Sequence, residues 1–296
     1  MDVLLPFQLG AGAVRGRLVR LGPAFDKMVG GHDYPPAVAG LLGQAMALAA
    51  ALAGALKFEG IFTVQAQGNG PVALLLADVT SSGHLRGYAR FNADRLPTDG
   101  STSIEQLLGQ GHLAFTIDQG PKTDRYQGIV DLVGPTLADS ARLYFKQSEQ
   151  LDTDVHLASA LQPDGTWRTA ALMVSRMPAD ITGGPILTAD EFQDTWLRTT
   201  LLMSTLSDGE LLDETLEPEK LLWRLFHQEQ VLVYDSKPLI AQCRCSRPRI
   251  ASTLRSFPRH EIEELADDDG LVVITCEFCQ TSYSFNQQDL HHVYEP

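Results

Sequence analysis

The sequence predicts an α+β protein with three parts: an N-terminal, mostly antiparallel sheet domain with helices, a helical linker, and a small C-terminal zinc module. Three observations predict this class. Short β-like runs with interspersed helices and turns follow one another between residues 37 and 176. Amphipathic helical patterns follow over residues 191–228, and all four cysteines lie in the last quarter as two close pairs. The predicted domains are residues 1–180, 181–230 and 231–296.

The first strong element is a predicted helix over residues 37–56. This stretch is apolar except for Gln44 and is long enough to cross a bilayer. Nine of its residues are alanine and three are glycine, which is weak hydrophobicity for lipid, and neither end carries an aromatic belt or a basic flank. We therefore predict a buried helix that begins at Pro35-Pro36, and no membrane partner.

Strand patterns follow this helix. Gly60 to Gln67 and Pro71 to Val79 flank Gly68-Asn69-Gly70, which predicts a hairpin. The turn is not a phosphate loop, because no Lys-Ser/Thr or further glycine follows at the required spacing. A helix is predicted at Leu137 to Gln150. Further strands are predicted at Leu85 to Phe91, His112 to Asp118, Tyr126 to Val133, Asp154 to Leu161 and Trp167 to Arg176.

The predicted linker follows a boundary at Pro178 to Pro185, which contains Gly183-Gly184. Apolar spacing predicts helices at Glu191 to Ser207, Leu211 to Leu216 and Pro218 to Gln228. Short amphipathic helices gain most of their stability from packing. We therefore expect these helices to fold onto the sheet of the first domain.

The terminal module is predicted to contain short elements around its cysteines. Its strands are expected at Val231 to Tyr234, Leu271 to Thr275 and Thr281 to Phe285, and a helix at Pro258 to Ala266. A module of about 65 residues has little room for a hydrophobic core, and small domains of this size are commonly stabilised by a metal. We therefore expect zinc to be needed for its folding.

Composition and charge exclude several classes of function. The 296 residues are 44% hydrophobic and 20% charged, as in ordinary globular proteins, and no signal peptide is recognisable at the N-terminus. Lys+Arg 23 against Asp+Glu 37 gives a net charge of −14, which repels the phosphates of nucleic acids and anionic membranes. Cysteines confined to one metal-spaced cluster indicate a reducing compartment, so the cytoplasm is expected.

The two cysteine pairs are Cys243-Arg-Cys245 and Cys276-Glu-Phe-Cys279, with thirty residues between them. Four thiols in two short-range pairs can close a tetrahedral zinc site, because Zn²⁺ favours thiolates and structural sites take four protein ligands. The same spacing lets each pair oxidise within itself to a disulfide. Zinc and disulfides would then compete for the same sulfurs.

Arginines around the first pair have two interpretations. They form either a solvated face or a set of cations that favours thiolate over thiol. A zinc finger that binds nucleic acid is disfavoured, because an acidic run follows them at once. These residues are Arg244, Arg247, Arg249, Arg255 and Arg259, followed by Glu261, Glu263, Glu264 and Asp267 to Asp269.

Other chemistry has no clear carrier in the sequence. No Gly-x-Ser-x-Gly elbow, Walker loop or His-Glu-x-x-His helix is present, and no cysteine remains as a nucleophile once zinc has taken all four, so we do not expect an enzyme. The nearby histidines offer no spacing that improves on the four thiols as metal ligands. They are His227, His260, His291 and His292.

Several segments together resemble the redox-regulated heat-shock chaperone family, the 33 kDa chaperonin. The likeness spans nearly the whole chain in one order, which makes it more specific than the cysteines alone. Pro248 departs from the family pattern, which usually has a charged residue there, and this puts the local helix or turn in doubt. The segments are Leu56-Lys-Phe-Glu-Gly60, Leu85-Arg-Gly-Tyr-Ala89, Tyr126-Gln-Gly-Ile-Val130, Tyr144-Phe-Lys-Gln-Ser-Glu-Gln150, Leu225-Phe-His227, Cys243-Arg-Cys245-Ser-Arg247 and Cys276-Glu-Phe-Cys279 with Tyr283-Ser-Phe285.

The resemblance implies a holdase that is idle when reduced and bound to one zinc ion. On oxidation it would form the Cys243–Cys245 and Cys276–Cys279 disulfides, release zinc, unfold the module and linker, form a homodimer and bind unfolding client proteins. A short loop-closure distance within each pair is consistent with that connectivity. The alternative is a constitutive zinc-ribbon adaptor or enzyme subunit with a purely structural four-cysteine site, which the cysteine spacing alone would favour.

Overall fold

The computed structural model describes residues 1–98, 100, 102–120, 123–178 and 188–295. It has two compact units, Met1–Ala241 and Gln242–Pro296. Helices and largely antiparallel sheets share the first unit, which confirms the predicted α+β class. Residues 179–185 of the predicted boundary at 178–185 lie outside the described residues. The division of the chain at residue 180 therefore stays a prediction.

Two sheets form the first unit. Their strands are β1 (Val3–Leu9), β2 (Val14–Leu21), β3 (Ile61–Gly68), β4 (Val72–Thr80), β5 (His84–Phe91), β6 (Gly111–Asp118), β7 (Tyr126–Asp131), β8 (Thr153–Leu161), β9 (Trp167–Arg176), β10 (Leu232–Val233), β11 (Lys237–Pro238) and β12 (Ile240–Ala241). One sheet has the order β10-β1-β2-β9-β8, with β11 also pairing with β1, and the other has the order β12-β5-β4-β3-β6-β7. All pairs are antiparallel except β12 with β5.

Helices pack against both sheets of this unit. Most begin where the sequence supplies a proline or a capping side chain. The bounds of the helices are α1 (Pro23–Val29), α2 (Pro36–Ala55), α3 (Ile104–Leu107), α4 (Leu137–Tyr144), α5 (Ala189–Met203), α6 (Asp208–Leu212) and α7 (Pro218–Phe226).

The predicted hairpin turn is confirmed, because β3 and β4 pair on either side of residues 69–71. The turn packs tightly against the loop that precedes β6, where the Gly70 N–H donates to the Leu108 carbonyl at 2.7 Å. A Cβ atom on Gly70 would lie 2.5 Å from the Leu107 carbonyl oxygen, so a side chain at this position would push the turn away from that loop. Glycine here serves close packing, not phosphate binding.

Helix α2 is the centre of the larger core, as the buried-helix prediction requires. It has a mean hydropathy of 1.7 and could cross a membrane by length and composition, but 78% of that stretch is buried inside the protein. Residues from Met46 to Ala51 have essentially no exposed surface. Its neighbours include β2, β4, β8 and β9, so both sheets contribute to its surroundings. A helix that is apolar on all sides is stable in this position because every side is covered.

The predicted helix over residues 137–150 is present but changes its winding. Thr136 and Asp139 cap α4 reciprocally, and the α-helix ends at Tyr144. One π-helical turn, Phe145–Glu149, continues it to Gln150, which has a left-handed φ of 53°. The widened turn brings the Glu149 carboxylate within 2.7 Å of the Tyr144 hydroxyl.

The linker helices pack on one face of the first sheet, as expected from their amphipathic patterns. Helix α5 begins at Ala189 after a capping box of Thr188 and Glu191, and α7 spans the predicted region as far as Phe226. This second core comprises Leu5, Phe7, Leu9, Val14, Leu18, Ala158, Ala170, Leu172 and Val174 of the sheet, with Met203, Leu206, Leu211, Leu212, Leu221, Leu222 and Phe226 of the linker.

The predicted helix at residues 211–216 was placed too late in the chain. Helix α6 runs from Asp208 to Leu212, and the chain then leaves the helix at Asp213, whose carboxylate accepts a hydrogen bond from the Thr215 N–H at 2.8 Å. This local bond competes with helix continuation. The apolar residues of the segment, among them Leu216, pack on the sheet without being helical.

Arg20 connects β2 to this linker segment. Its buried guanidinium donates hydrogen bonds to the backbone carbonyls of Leu211 at 2.9 Å, Leu216 at 2.5 Å and Glu210 at 3.2 Å. These carbonyls lie at and just beyond the C-terminal end of α6, where a cation is favourable. One side chain therefore fixes the linker segment to the sheet.

The second unit contains β13 (Val272–Thr275), β14 (Ser282–Phe285), α8 (Arg247–Leu254), α9 (Arg259–Glu263) and α10 (Gln287–Tyr294). The two strands form the predicted antiparallel hairpin. The doubt attached to Pro248 is resolved, because proline is tolerated in the first turn of α8. The buried core of this unit is small and consists of Leu254, Ile262, Val272, Phe285, Leu290 and Val293.

The predicted module begins at residue 231, whereas the second compact unit begins at Gln242. The difference has a clear cause, because the intervening residues add strands to the sheets of the first unit. Val233 pairs with Phe7 of β1, and Ile240 pairs with His84 of β5. The segment that leads to the first cysteine pair is therefore held by both sheets.

Candidate metal centre

Two loops of the second unit bring the four cysteines together. Cys243 and Cys245 precede α8, and the other two lie in the turn between β13 and β14. The Sγ atoms of Cys243 and Cys276 are 3.7 Å apart, and those of Cys245 and Cys279 are 3.4 Å apart. All four sulfurs lie within 4.8 Å of one another. The arrangement could hold one metal ion at its centre.

The turn between β13 and β14 folds Cys276 and Cys279 toward the same side. The Cys276 N–H donates to the Thr281 carbonyl at 2.9 Å, and the Gln280 N–H donates to the Cys276 carbonyl at 2.8 Å. Gln280 adopts a left-handed φ of 56°, which lets the chain reverse within so few residues. The Cys-x-x-Cys spacing is thus folded as a knuckle whose two sulfurs can ligate one ion.

The sulfur separations fit a tetrahedral thiolate site. A zinc ion about 2.3 Å from each of four sulfurs would separate them by about 3.8 Å. The Cys243–Cys276 and Cys245–Cys279 separations are close to this value, and no pair of the four exceeds 4.8 Å. The donor set, four soft sulfurs without a carboxylate, is typical of structural zinc sites. Which metal these residues hold stays a prediction.

Hydrogen bonds from the surrounding chain reach the sulfurs. The Cys245 N–H donates to Cys243 Sγ at 3.4 Å, and the Tyr283 hydroxyl donates to Cys245 Sγ at 3.2 Å. Cys279 Sγ lies 3.3 Å from the Thr281 hydroxyl. Donors of this kind orient ligands and stabilise their thiolate forms. Thr281 and Tyr283 are not among the residues predicted from sequence, although both lie within four residues of Cys279.

The thiols differ in acidity because burial and hydrogen bonding oppose each other. Burial raises the pKa of Cys245 to about 12, against the effect of the Tyr283 hydrogen bond, and burial also raises the pKa of Cys276. Burial acts in the same direction on Cys279, but hydrogen bonds with the Thr281 side chain and backbone outweigh it and lower the pKa of Cys279 to about 7. The hydrogen bond between the Tyr283 hydroxyl and Cys245 raises the pKa of Tyr283 to about 12. A bound divalent cation would favour the thiolate at all four positions.

The arginines predicted to influence the sulfurs are mainly engaged elsewhere in the module. Arg247 donates to the Ser284 carbonyl at 2.7 Å and pairs with Asp289 at 3.0 Å. Arg249 donates to the Arg244 carbonyl at 2.8 Å. Arg259 pairs with Glu263 at 2.7 Å. Burial and hydrogen bonds, and not these cations, are the leading causes of the shifts in the cysteine pKa values.

Among the described residues, the side chains close enough to hold a metal ion together are the four cysteines, and no such group contains a histidine. His291 Nδ1 lies 3.5 Å from a Glu295 oxygen, and His292 Nδ1 lies 2.8 Å from the Gln288 carbonyl oxygen. These contacts are local to α10 and its end. That the histidines do not contribute to the site stays a prediction.

Comparisons with known proteins agree across nearly the whole chain. The family model described as "Hsp33 protein" matches residues 2–286. A "33 kDa chaperonin" of Caulobacter vibrioides is 42% identical over 292 residues, covering 96% of this chain and 95% of the relative. A "33 kDa chaperonin" of Ectopseudomonas mendocina is 40% identical over 282 residues, covering 95% of this chain and 91% of the relative.

A solved structure shares the fold. The crystal structure of the 33 kDa chaperonin (heat shock protein 33 homolog) from Thermotoga maritima matches with a TM-score of 0.85. The match covers 99% of this chain and 98% of that chain at 22% sequence identity. At this level of identity the likeness supports the architecture, and the sequence relatives carry the family assignment.

Proposed function

The chain belongs to the Hsp33 family of chaperones, and we propose that it is a redox-regulated holdase, inactive when reduced and zinc-bound, and active when oxidised. Its relatives are named chaperonins, so the function is that of a chaperone and not of an enzyme. One observation carries the proposal: a family match over residues 2–286 coincides with four cysteine sulfurs within 4.8 Å of one another. We place its activity in the reducing cytoplasm, where the thiols would rest in the reduced state.

In the reduced protein, Cys243, Cys245, Cys276 and Cys279 would hold one Zn²⁺ as thiolates. The near-tetrahedral separations of their sulfurs support this assignment. The ion would supply cross-linking between the two cysteine loops, which the small core of the second unit does not provide alone. Apparent binding free energies of about 10 to 16 kcal/mol are typical for structural zinc in finger peptides. The fold of the second unit would therefore depend on these four side chains.

Oxidation would convert each cysteine pair into a disulfide. In each pair two thiolates lose two electrons and form one S–S bond, while one hydrogen peroxide takes up two electrons and two protons to give two waters. Sulfurs joined in disulfides no longer act as thiolate ligands. Two such events, at Cys243–Cys245 and Cys276–Cys279, would remove all four ligands.

Which cysteines pair in disulfides depends on whether the module is folded or already open when the sulfurs react. In the folded module the short separations of 3.7 and 3.4 Å join a sulfur of one pair to a sulfur of the other. Once the module loosens, loop closure favours partners separated by one or two residues over partners more than thirty residues apart. The proposed pairing within each sequence pair therefore requires the module to open as it is oxidised.

Loss of the module would then release the linker. The chain runs from α7 through β10, β11 and β12 directly into Cys243, and each of these strands has only two residues. Such short strands are marginal and depend on their neighbours. When they separate, α5 to α7 lose an anchor at their C-terminal end. Release of these helices would uncover Leu5, Phe7 and Leu18 on the first sheet.

The uncovered surface would bind client proteins. Exposed apolar surface associates with the exposed apolar surface of unfolding proteins and prevents their aggregation. The same surface would permit pairing of two oxidised chains as a homodimer, in keeping with the prevalence of twofold assemblies. Before oxidation, α5 to α7 cover this surface and would keep the protein idle.

The proposal is tested by measuring zinc content and chaperone activity together. The reduced protein is expected to contain one zinc and to leave the aggregation of a heat-unfolded test protein unchanged. After treatment with peroxide and mild heat, zinc should be released and aggregation suppressed. Peptide mapping should then give the two disulfides within the sequence pairs. Unchanged zinc without a gain in chaperone activity would favour the static zinc-ribbon alternative.

A further inference from the structure

The first unit contains a cavity of ≈ 490 Å³ between its two sheets. Its walls come from the last turn of α2, from β2 and β9 of one sheet, from β3, β6 and β7 of the other, and from the segment after α4. Leu56 and Tyr126, which line it, are 45% and 53% exposed and mark its opening. The volume lies within the roughly 300 to 1,000 Å³ of small-molecule sites. This cavity is remote in sequence from the cysteines and has no part in the proposed redox chemistry.

The interior of the cavity is apolar. Leu52, Phe62, Phe115 and Met173 are 3% exposed or less and line its depth. Water gains few hydrogen bonds against such walls, and burial of methylene groups in their place is favourable. The cavity therefore suits the apolar part of a ligand.

Two cations line the same cavity from β2. Arg15 and Arg17 are alternate residues of one strand and so point to the same face of the sheet. The Arg17 guanidinium donates to the carbonyls of Gly54 at 3.0 Å and Gly16 at 2.8 Å. Over the residues that the structure describes, neither arginine forms an ion pair with a carboxylate. Burial and the neighbouring Arg15 lower the pKa of Arg17, as expected for a cation that lacks an anionic partner.

The acidic group of the cavity is already engaged. Glu149 accepts hydrogen bonds from the hydroxyls of Tyr126 at 2.9 Å and Tyr144 at 2.7 Å. Both tyrosines belong to the wall formed by β7 and α4, whereas the arginines belong to β2. On one wall of the cavity, the Glu149 carboxylate therefore accepts hydrogen bonds from two hydroxyls. On another wall, Arg15 and Arg17 form no ion pair within the described residues.

We propose that this cavity binds a free fatty acid or a similar amphipathic monocarboxylate, with the carboxylate on Arg15 and Arg17 and the aliphatic chain among Leu52, Phe62, Phe115 and Met173. Guanidinium groups hold carboxylates through charge-assisted hydrogen bonds. The apolar depth fits the chain and excludes a fully polar anion.

The test is calorimetric titration of the reduced, zinc-loaded full-length protein with decanoate below its micelle concentration, and with 1-decanol as the uncharged match. Decanoate should bind once per chain and at least about tenfold more tightly than decanol, because the carboxylate adds charged hydrogen bonds. The double variant Arg15→Gln/Arg17→Gln should lose about tenfold in decanoate affinity and keep its decanol affinity. Arg15→Lys/Arg17→Lys, which retains both charges, should preserve a clear preference for decanoate.

Two further variants control for surface effects. Arg90→Gln removes an exposed arginine of β5 and should leave decanoate binding unchanged. Ala55→Phe, at the exposed end of α2, places a ring in the cavity and should abolish binding of both ligands. Equal affinity for decanoate and decanol, absence of saturable decanoate binding, or unaltered binding by Ala55→Phe would overturn the proposal. Retention on phosphatidylglycerol vesicles without binding of free decanoate would also overturn it, since the ligand would then be a membrane surface.

Discussion

The two compact units are stabilised by different means. In the first, α2 is enclosed by both sheets, and two hydrophobic clusters run through the unit. In the second, the buried core has six residues. The four cysteines lie in two loops, and one of these loops is the turn of a two-stranded hairpin. Hydrophobic burial does not depend on the redox state of the solution, whereas thiolate ligation does. If the cysteines hold zinc as proposed, one chain combines a scaffold that does not depend on redox state with a part that would respond to oxidants.

The largest expected effect is loss of the second unit alone. Cys276→Ser removes the most buried of the four sulfurs, and we expect weaker zinc binding and loss of amide protection over residues 242–295. All three tryptophans lie in the first unit, so their fluorescence unfolding transition should be unchanged. Ser252→Ala, an exposed change in α8, is the matched control. Equal protection of the second unit in Cys276→Ser and the control would contradict a metal-dependent fold.

The reverse experiment destabilises the first unit. Leu48 is fully buried in α2, and Leu48→Ala should cost about 2 to 5 kcal/mol of unfolding free energy through lost contacts and a cavity. Denaturant titration followed by tryptophan fluorescence measures this cost. Zinc stoichiometry should remain at one per chain. Leu201→Ala, the same truncation at a residue that is 68% exposed, should change stability by less than about 0.5 kcal/mol. Loss of zinc in Leu48→Ala under native conditions would show that the units are not independently stabilised.

A smaller effect tests how the linker is held within the first unit. Arg20→Met removes three hydrogen bonds to the carbonyls of residues 210–216 and should cost about 1.5 to 3 kcal/mol, because the donor is charged and buried. Amide exchange should accelerate over residues 208–216 while the protection of α2 stays high. Arg90→Met, an exposed arginine of β5, should have no such effect. Uniform acceleration throughout the unit would instead mean that linker and core open together.

The smallest effect concerns pH. The Glu214 carboxylate accepts from Arg168 at 2.7 Å and from the N-terminal ammonium at 3.3 Å, and the Arg168 hydrogen bond lowers its pKa. A lowered folded-state pKa means that the stabilisation is present above the ordinary Glu pKa of about 4.3 and is lost as pH falls through the folded-state value. For this partly exposed pair we expect less than about 1 kcal/mol.

Exchange rates of residues 211–216, corrected for intrinsic pH dependence, should rise between pH 5 and the lowest pH at which the first unit remains folded. Glu214→Gln should remove this dependence and be slightly less stable at neutral pH. Glu217→Gln is a suitable control, because within the described part of the chain Glu217 pairs with exposed Lys220 alone. A pH response of equal size in Glu214→Gln would assign the effect to another group.

Much of the fold follows from local pattern. The bounds of β9 were predicted to the residue, and the predicted α2 differs by one residue at each end, because long apolar runs and flanking prolines are strong local signals. Residues 1–35 carry no predicted element, although β1, β2 and α1 lie there. Pro6 interrupts the strand pattern of β1. The partner strand β10 lies more than 200 residues later in the sequence, so no local window contains both strands.

The candidate site shows the same division between local and distant information. The candidate ligands follow from spacing, since the Cys-x-Cys and Cys-x-x-Cys pairs lie in the loops that bring their sulfurs together. The partners of those sulfurs do not follow from it. The Tyr283 hydroxyl reaches Cys245, thirty-eight residues earlier in sequence, only because the β13–β14 hairpin places it there. Likewise the three carbonyls around Arg20 meet at one guanidinium only after the linker has packed on the sheet.

The topology around α2 also means that α2 is synthesised well before some of the strands that cover it. Strand β2 pairs with β9, which is made roughly 150 residues later, and β8 and β9 supply part of the cover of α2. About 110 residues separate the end of α2 at Ala55 from the start of β9 at Trp167, and a ribosome that adds about 5 to 20 residues per second needs roughly 6 to 22 seconds to synthesise them. During this time a segment of twenty residues with a mean hydropathy of 1.7 lacks its full set of partners. A protein proposed to shield others from aggregation thus passes, in each round of its own synthesis, through an interval in which it is exposed to the same hazard.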